Sequence, residues 1–162
     1  LIDEQQREKV AELVDEALAL GARALCGGVT PQGAGWHYPP TVLVGVSREA
    51  RIWSEEIFGP VAAVYTFATE AEALDMANDT EYGLVAYAFT RDQGRVVRLY
   101  EGLQTGMVGI NQGIVSNPAA PFGGVKASGF GREGGFEGIE EYLSTKYVGI
   151  ATARHAVTVK RG

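Results

Sequence analysis

The chain has one cysteine, Cys26, and only two histidines, His37 and His155. A lone cysteine excludes an internal disulfide and points to a reducing, cytoplasmic setting. Two distant histidines with no cysteine cluster leave no ordinary zinc-ligand spacing, so no metal site is expected. Basic residues are outnumbered, 14 against 20 acidic, and the net charge of -6 excludes a nucleic-acid binder working through a globally basic surface. No apolar run approaches the roughly 18 residues of a membrane span, and the amino terminus is amphipathic, unlike a signal peptide. A soluble protein with no membrane partner is the expectation. What is plentiful is glycine, 22 of 162 residues, about twice the average share. The length is one domain's worth and sufficient for a sizeable core. The chain opens on Leu1 rather than methionine, as a piece of something larger would.

Apolar residues at Val10, Leu13, Val14, Ala17 and Leu18 follow the spacing of one helical face, which predicts a helix over 3–22 capped by Asp3, with Gln6 at the capping-box position. Gly27 and Gly28 interrupt the chain, and the stretch to Pro40 reads as a loop or loose hairpin. Strands are predicted over 41–46 and 61–67. Thr69 and Glu72 form a capping box before a helix carrying Ala73, Leu74, Met76 and Ala77. The run Leu84 to Phe89 reads as a strand covered on both faces. A helix over 92–103 follows, with Val96, Val97, Leu99 and Tyr100 inward, and then a strand over 107–110. This alternation predicts an α/β fold, a three-layer, doubly wound and mostly parallel sheet. Residues 112–135 hold seven glycines and two prolines, a loop of a length that is usually functional. A short helix over 137–143 and a strand over 146–150 complete the pattern, ahead of a basic tail with no acidic residue.

Three features invite chemistry. Gly129, Gly131 and Gly134 spell G-x-G-x-x-G, but Lys126, Ala127 and Ser128 precede the string in place of a buried strand, and no acidic residue follows Glu141. The string therefore shapes an irregular surface and is not a dinucleotide fingerprint. The segment Ser54-Glu55-Glu56-Ile57-Phe58-Gly59-Pro60 sets two carboxylates and a ring before a strand. Its bland reading is two solvated glutamates and a core phenylalanine. Its functional reading is a carboxylate accepting from both hydroxyls of a ribose and a ring holding a flat heterocycle. Cys26, with no basic neighbour closer than Arg23, reads as a buried, inert thiol.

Taken in order, EEIFGP at 55–60, NDTEYGLVAYAFT at 78–90, GMVGIN at 106–111 and PFGGVKASGFGREGG at 121–135 resemble the carboxy-terminal part of the aldehyde dehydrogenase superfamily. The resemblance implies a partial catalytic domain over 1–145 and an oligomerisation strand with basic tail over 146–162. It implies attack of a cysteine thiolate on an aldehyde, hydride transfer to NAD or NADP, and thioester hydrolysis helped by a glutamate. The matching cysteine and glutamate lie upstream in family members. Cys26 matches a non-catalytic position, and no catalytic residue is expected within this piece.

By the same resemblance Glu56 holds the nicotinamide ribose and Phe58 packs beside the nicotinamide ring. Lys9 lies near the adenosine ribose, unless it forms a surface ion pair with Glu12. Within the family, NQGIVSNPAAPFGG and GIEEYLSTKYVGI are most similar to succinate-semialdehyde dehydrogenases. Ser116 then helps bind the substrate's distal carboxylate, where the alternative is a loop serine bonding its own backbone. Phe122 is implied as an apolar wall near the substrate tunnel. Family members assemble as dimers or tetramers, so a homo-oligomer is implied. The competing reading is a non-enzymatic assembly module that pairs through its edge strand.

Overall fold

The computed structural model describes residues 1–151. Helix α1 spans Glu4–Ala19. Asp3 caps it as the sequence predicts, its carboxylate accepting from the Gln6 amide at 2.8 Å. The apolar face predicted from the spacing is the one that is buried: Val10, Leu13, Val14 and Ala17 are fully inaccessible. The helix ends earlier than the sequence pattern, because Gly21 takes a left-handed φ of 99°.

A three-stranded sheet receives that face. Strand β1 (Arg23–Cys26) runs antiparallel to β2 (Thr41–Val44), which pairs in parallel with β3 (Val61–Val64) in the register Thr41↔Val61 to Val44↔Val64. β1 is not expected from the sequence pattern. It is only four residues long, and its alternation is too brief to stand out between Gly21 and Gly27. Leu43, Val46, Ala50 and Ile52 close the core against α1. A short 3-10 turn at Arg51–Trp53 leads toward β3.

Helix α2 spans Glu70–Asn78. Thr69 Oγ1 accepts from the Glu72 amide, and the Glu72 carboxylate accepts from the amide of Ala68, one residue before the cap. Strand β5 (Val85–Ala88), helix α3 (Gln93–Gly102) and strand β6 (Met107–Ile110) follow, with β5 and β6 parallel in the register Val85↔Met107. Two-residue strands β4 (Tyr82–Gly83) and β7 (Val125–Lys126) form a small antiparallel ladder. The parallel pairs β2·β3 and β5·β6 match the predicted α/β class. Between β3 and β5, however, no hydrogen-bonded pairing is present among the described residues.

Several predicted contacts are corrected by the burial. The core lies in the first third of the chain. From Val61 onward the only buried residues among those described are Gly83, Gly109 and Gly124. Val97 and Tyr100, predicted to point inward, are 40% and 51% exposed, and in the segment predicted to be covered on both faces Tyr87 and Phe89 are 45% and 72% exposed. A strand or helix face becomes buried only when another layer lies against it. No described element covers β5 and α3 on those sides. The helix predicted over 137–143 is a 3-10 segment, Glu137–Tyr142. The strand predicted over 146–150 is absent: no element follows Tyr142 among the described residues. A strand requires a neighbour for its backbone donors and acceptors, and none pairs with this segment among the described residues. The basic tail beyond Ala151 lies outside the described residues.

Candidate functional site

The loop from Glu55 to Pro60 enters β3, and one face of α1 holds it. Gln6 Nε2 donates to the carbonyls of Ile57 (3.0 Å) and Phe58 (3.1 Å), and Lys9 Nζ donates to the carbonyl of Glu56 at 2.7 Å. One turn further along, Val10 packs so tightly against Gly59 that a Cβ there would lie 2.6 Å from Val10 Cγ2. This is why the E-I-F-G sequence needs glycine at its fourth place. Phe58 has a left-handed φ of 52°. A non-glycine residue takes that conformation only when its surroundings impose it.

Because α1 grips this loop at its backbone carbonyls, the side chains of Glu56 and Phe58 stay free among the described residues. Phe58 is 70% exposed, which overturns the reading of it as a core phenylalanine. The two adjacent carboxylates have different fates. Glu55 is bound by Arg51 through Nε at 2.7 Å and Nη2 at 3.2 Å, and that hydrogen bond lowers its carboxyl below the ordinary range. Glu56 is exposed and forms no ion pair among the described residues. Lys9 does not pair with Glu12; its ammonium is on the Glu56 carbonyl.

Tyr82, on β4, was not anticipated. Its phenol is raised above the usual value, first by the charge of Glu81, with Glu56 and Glu55 adding to the shift. The β4·β7 ladder therefore sets this ring within electrostatic reach of the Glu56 loop. The signal for it in the sequence is the NDTEYGL string, which also carries part of the family resemblance.

A second region follows β6. Asn111 has a left-handed φ of 55° and its amide pins the turn after β5, accepting from the Thr90 amide and donating to the Thr90 carbonyl, both at 2.8 Å. Ser116 is exposed beyond it. The local backbone turn is made by the neighbouring Asn117, whose side chain accepts from the Ala119 amide at 2.9 Å. Phe122 exchanges two 2.7 Å backbone hydrogen bonds with Glu133, and the Gly135 amide donates to Pro118 at 3.1 Å. The glycine-rich stretch is thus a loop clasped upon itself. Phe122 lines an open hollow with Leu84, Phe130, Arg132 and Glu133.

The G-x-G-x-x-G glycines sit in this clasp with φ of 102°, 88° and 68°. They are turn glycines, as the sequence context predicts. Cys26, predicted to be buried, is exposed at the end of β1, with its thiol 3.6 Å from the Pro40 carbonyl. The structure thus brings Lys9, Glu56 and Phe58 onto one loop and helix face, and sets Ser116 and Phe122 in the separate loop region after β6.

Glu56, with no ion pair among the described residues, and the exposed Phe58 thus stand two residues apart on a loop whose backbone is held by α1. Residues 1–148 match the model of the aldehyde dehydrogenase family, to which the chain belongs. It is 54% identical to the succinate-semialdehyde dehydrogenase of Paenarthrobacter nicotinovorans, over 93% of this chain and 34% of that protein. A glutarate-semialdehyde dehydrogenase of Pseudomonas putida is 49% identical over 93% of this chain and 31% of that protein. A solved E. coli NADP-dependent enzyme superimposes with a TM-score of 0.87 at 51% identity, covering 91% of this chain and 31% of that one. The chain therefore spans about a third of the length of these relatives.

Among the described residues no helix is long and apolar enough to cross a membrane. No group of three or more metal-ligating side chains occurs among them either.

Proposed function

We propose that this chain is the carboxy-terminal portion of a cytoplasmic NAD(P)-dependent aldehyde dehydrogenase that oxidises succinate semialdehyde to the diacid. The observation that carries the reading is the Glu56–Phe58 loop, where a carboxylate without a cation among the described residues and a solvent-facing ring stand on a backbone fixed by α1. These residues fit a nicotinamide nucleoside. Glu56 accepts from the two ribose hydroxyls, and Phe58 lies along the flat ring and limits its tilt. Lys9 Nζ spends one donor on the Glu56 carbonyl, which leaves two for a second ribose. When bound, the dinucleotide supplies the hydride acceptor.

Ser116 Oγ, exposed after β6, donates in this reading to the far carboxylate of an ω-carboxylated aldehyde. Phe122 supplies an apolar wall for the methylenes between the two ends. The substrate assignment is supported by the relatives named for succinate and glutarate semialdehydes. The thiolate that attacks the aldehyde lies outside this chain; Cys26, exposed at the end of β1, is read as non-catalytic. The isolated chain, assayed with succinate semialdehyde and either cofactor, is expected to show no turnover. Clear turnover would overturn the fragment reading and force Cys26 into the catalytic role. In the full-length protein, kcat/KM is expected to be higher for succinate than for glutarate semialdehyde, and the reverse order would move the substrate to the five-carbon homologue.

A second reading, assembly through residues 146–150, is favoured by the exposure of Tyr147 (93%) and Ile150 (82%) in a segment without a partner strand among the described residues. Pairing with another copy would satisfy that backbone and give a dimer or tetramer. Sedimentation of the chain across a range of concentrations is expected to show association. A monomer at every concentration would remove this reading.

A further inference from the structure

The Gln6 carboxamide donates to two successive carbonyls of the loop, those of Ile57 and Phe58. Its own backbone is fixed, because its amide donates to the Asp3 cap at 2.8 Å. The residue it holds, Phe58, is in the left-handed region at φ 52° and largely exposed. An exposed, non-glycine residue would leave that region unless an external restraint kept it there, and the ring has little packing to provide one. The two donors of a single NH2 group, aimed at the carbonyls on either side of the Phe58 N–Cα bond, supply such a restraint.

We propose that Gln6 is a positioning residue: it sets the direction of the Phe58 ring by holding the main chain of residues 57 and 58, with no contact to the cofactor required. The inference rests on the reading of Phe58 as the nicotinamide-side ring, and it adds a residue to which that reading gave no role. Lys9, one turn further along the same face, extends the grip to the Glu56 carbonyl. Three consecutive carbonyls of the loop are thus held by two side chains of one helix. A displacement of α1 would carry the ring with it.

Gln6→Glu is the discriminating variant. Glutamate in the first turn favours the helix, through the macrodipole and the capping-box geometry, so α1 is retained while both donors to the loop are lost. Gln6→Met, of similar length and without donor or acceptor, is the companion. The first readout needs no cofactor. In NMR spectra of the chain, Phe58 is expected to give the strong intraresidue HN–Hα NOE of a positive φ. In both variants that NOE is expected to weaken, while the signals of Leu13 and Leu43 in the core stay in place. An unchanged Phe58 NOE in both variants would overturn the proposal.

The second readout uses the full-length protein. There Gln6→Glu is expected to raise KM for the dinucleotide about tenfold and leave KM for the aldehyde unchanged. If the NOE weakens and the dinucleotide KM stays the same, the clamp stands and the assignment of Phe58 to the nicotinamide falls. A tenfold rise in KM with an unmoved NOE would make Gln6 a direct cofactor ligand and would overturn its positioning role.

Discussion

Lys9 Nζ lies 2.7 Å from the carbonyl oxygen of Glu56, and this bond ties the first helix of the chain to a loop 47 residues later. It also explains how Glu56 keeps its carboxylate free with an ammonium nearby, since the ammonium is occupied by the backbone of the same residue. Lys9→Met keeps the aliphatic stem and removes the donor. The loss of stability is expected to be about 1 kcal/mol, the net value of one such hydrogen bond, read as a shift in the urea midpoint at unchanged slope. In the full-length enzyme the same variant is expected to weaken dinucleotide binding. A midpoint equal to that of the parent would mean that the bond contributes nothing.

Gly59 allows α1 and the loop to approach each other. The missing Cβ would stand 2.6 Å from Val10 Cγ2, and Val10 is fully buried. Gly59→Ala is therefore expected to destabilise by about 1–3 kcal/mol through overpacking. The double variant Gly59→Ala with Val10→Ala should recover part of that loss, because the clash is with the valine methyls. If the two changes are additive in chemical denaturation, no such contact exists.

Glu70 begins α2 and binds both Arg95 and Arg98 of α3. The hydrogen bonds from Arg98 and then Arg95 lower its carboxyl from 4.5 to about 2. The folded state therefore favours the ionised form, and the contribution to stability is complete above the ordinary value. It declines as the pH falls from about 4.5 and is gone below about 2. All three side chains are partly exposed, so salt should screen the effect. Against Glu70→Gln, the parent chain is expected to melt higher at pH 6 in low salt, with the difference shrinking toward pH 2 and in 1 M salt. A difference that persists unchanged at pH 2 would show that charge is not its source.

Cys26 is exposed. It is expected to react stoichiometrically with a maleimide in the folded chain, with no change in the far-UV circular dichroism. Labelling only after denaturation would contradict its place at the open end of β1.

The sequence made much of this legible. The α1 face was readable because Val10, Leu13, Val14 and Ala17 repeat at helical spacing, and burial follows from that period. The caps at Asp3 and Thr69 were readable because a short polar side chain before an apolar run has few other uses. Arg51 and Glu55, four residues apart, carry a local signal for why Glu55 is neutralised and Glu56 is not. Other features were out of reach. The exposure of Tyr87, Phe89 and Tyr100 depends on which layer lies above them, and residue type alone cannot report that. The lack of a strand at 146–150 has a similar origin, since pairing belongs to two segments and the sequence shows one.

By itself the sequence determined most of the helices and the longer strands, the α/β class and the family, because each is written in short-range periodicity and in motifs of fixed order. Only the tertiary structure decided that Gln6 and Lys9 belong to the Glu56–Phe58 loop. Their bonds run to backbone carbonyls 47 to 52 residues away, and a carbonyl is common to every residue type. No pattern of side chains announces that contact, and it takes the packing of α1 against β3 to create it.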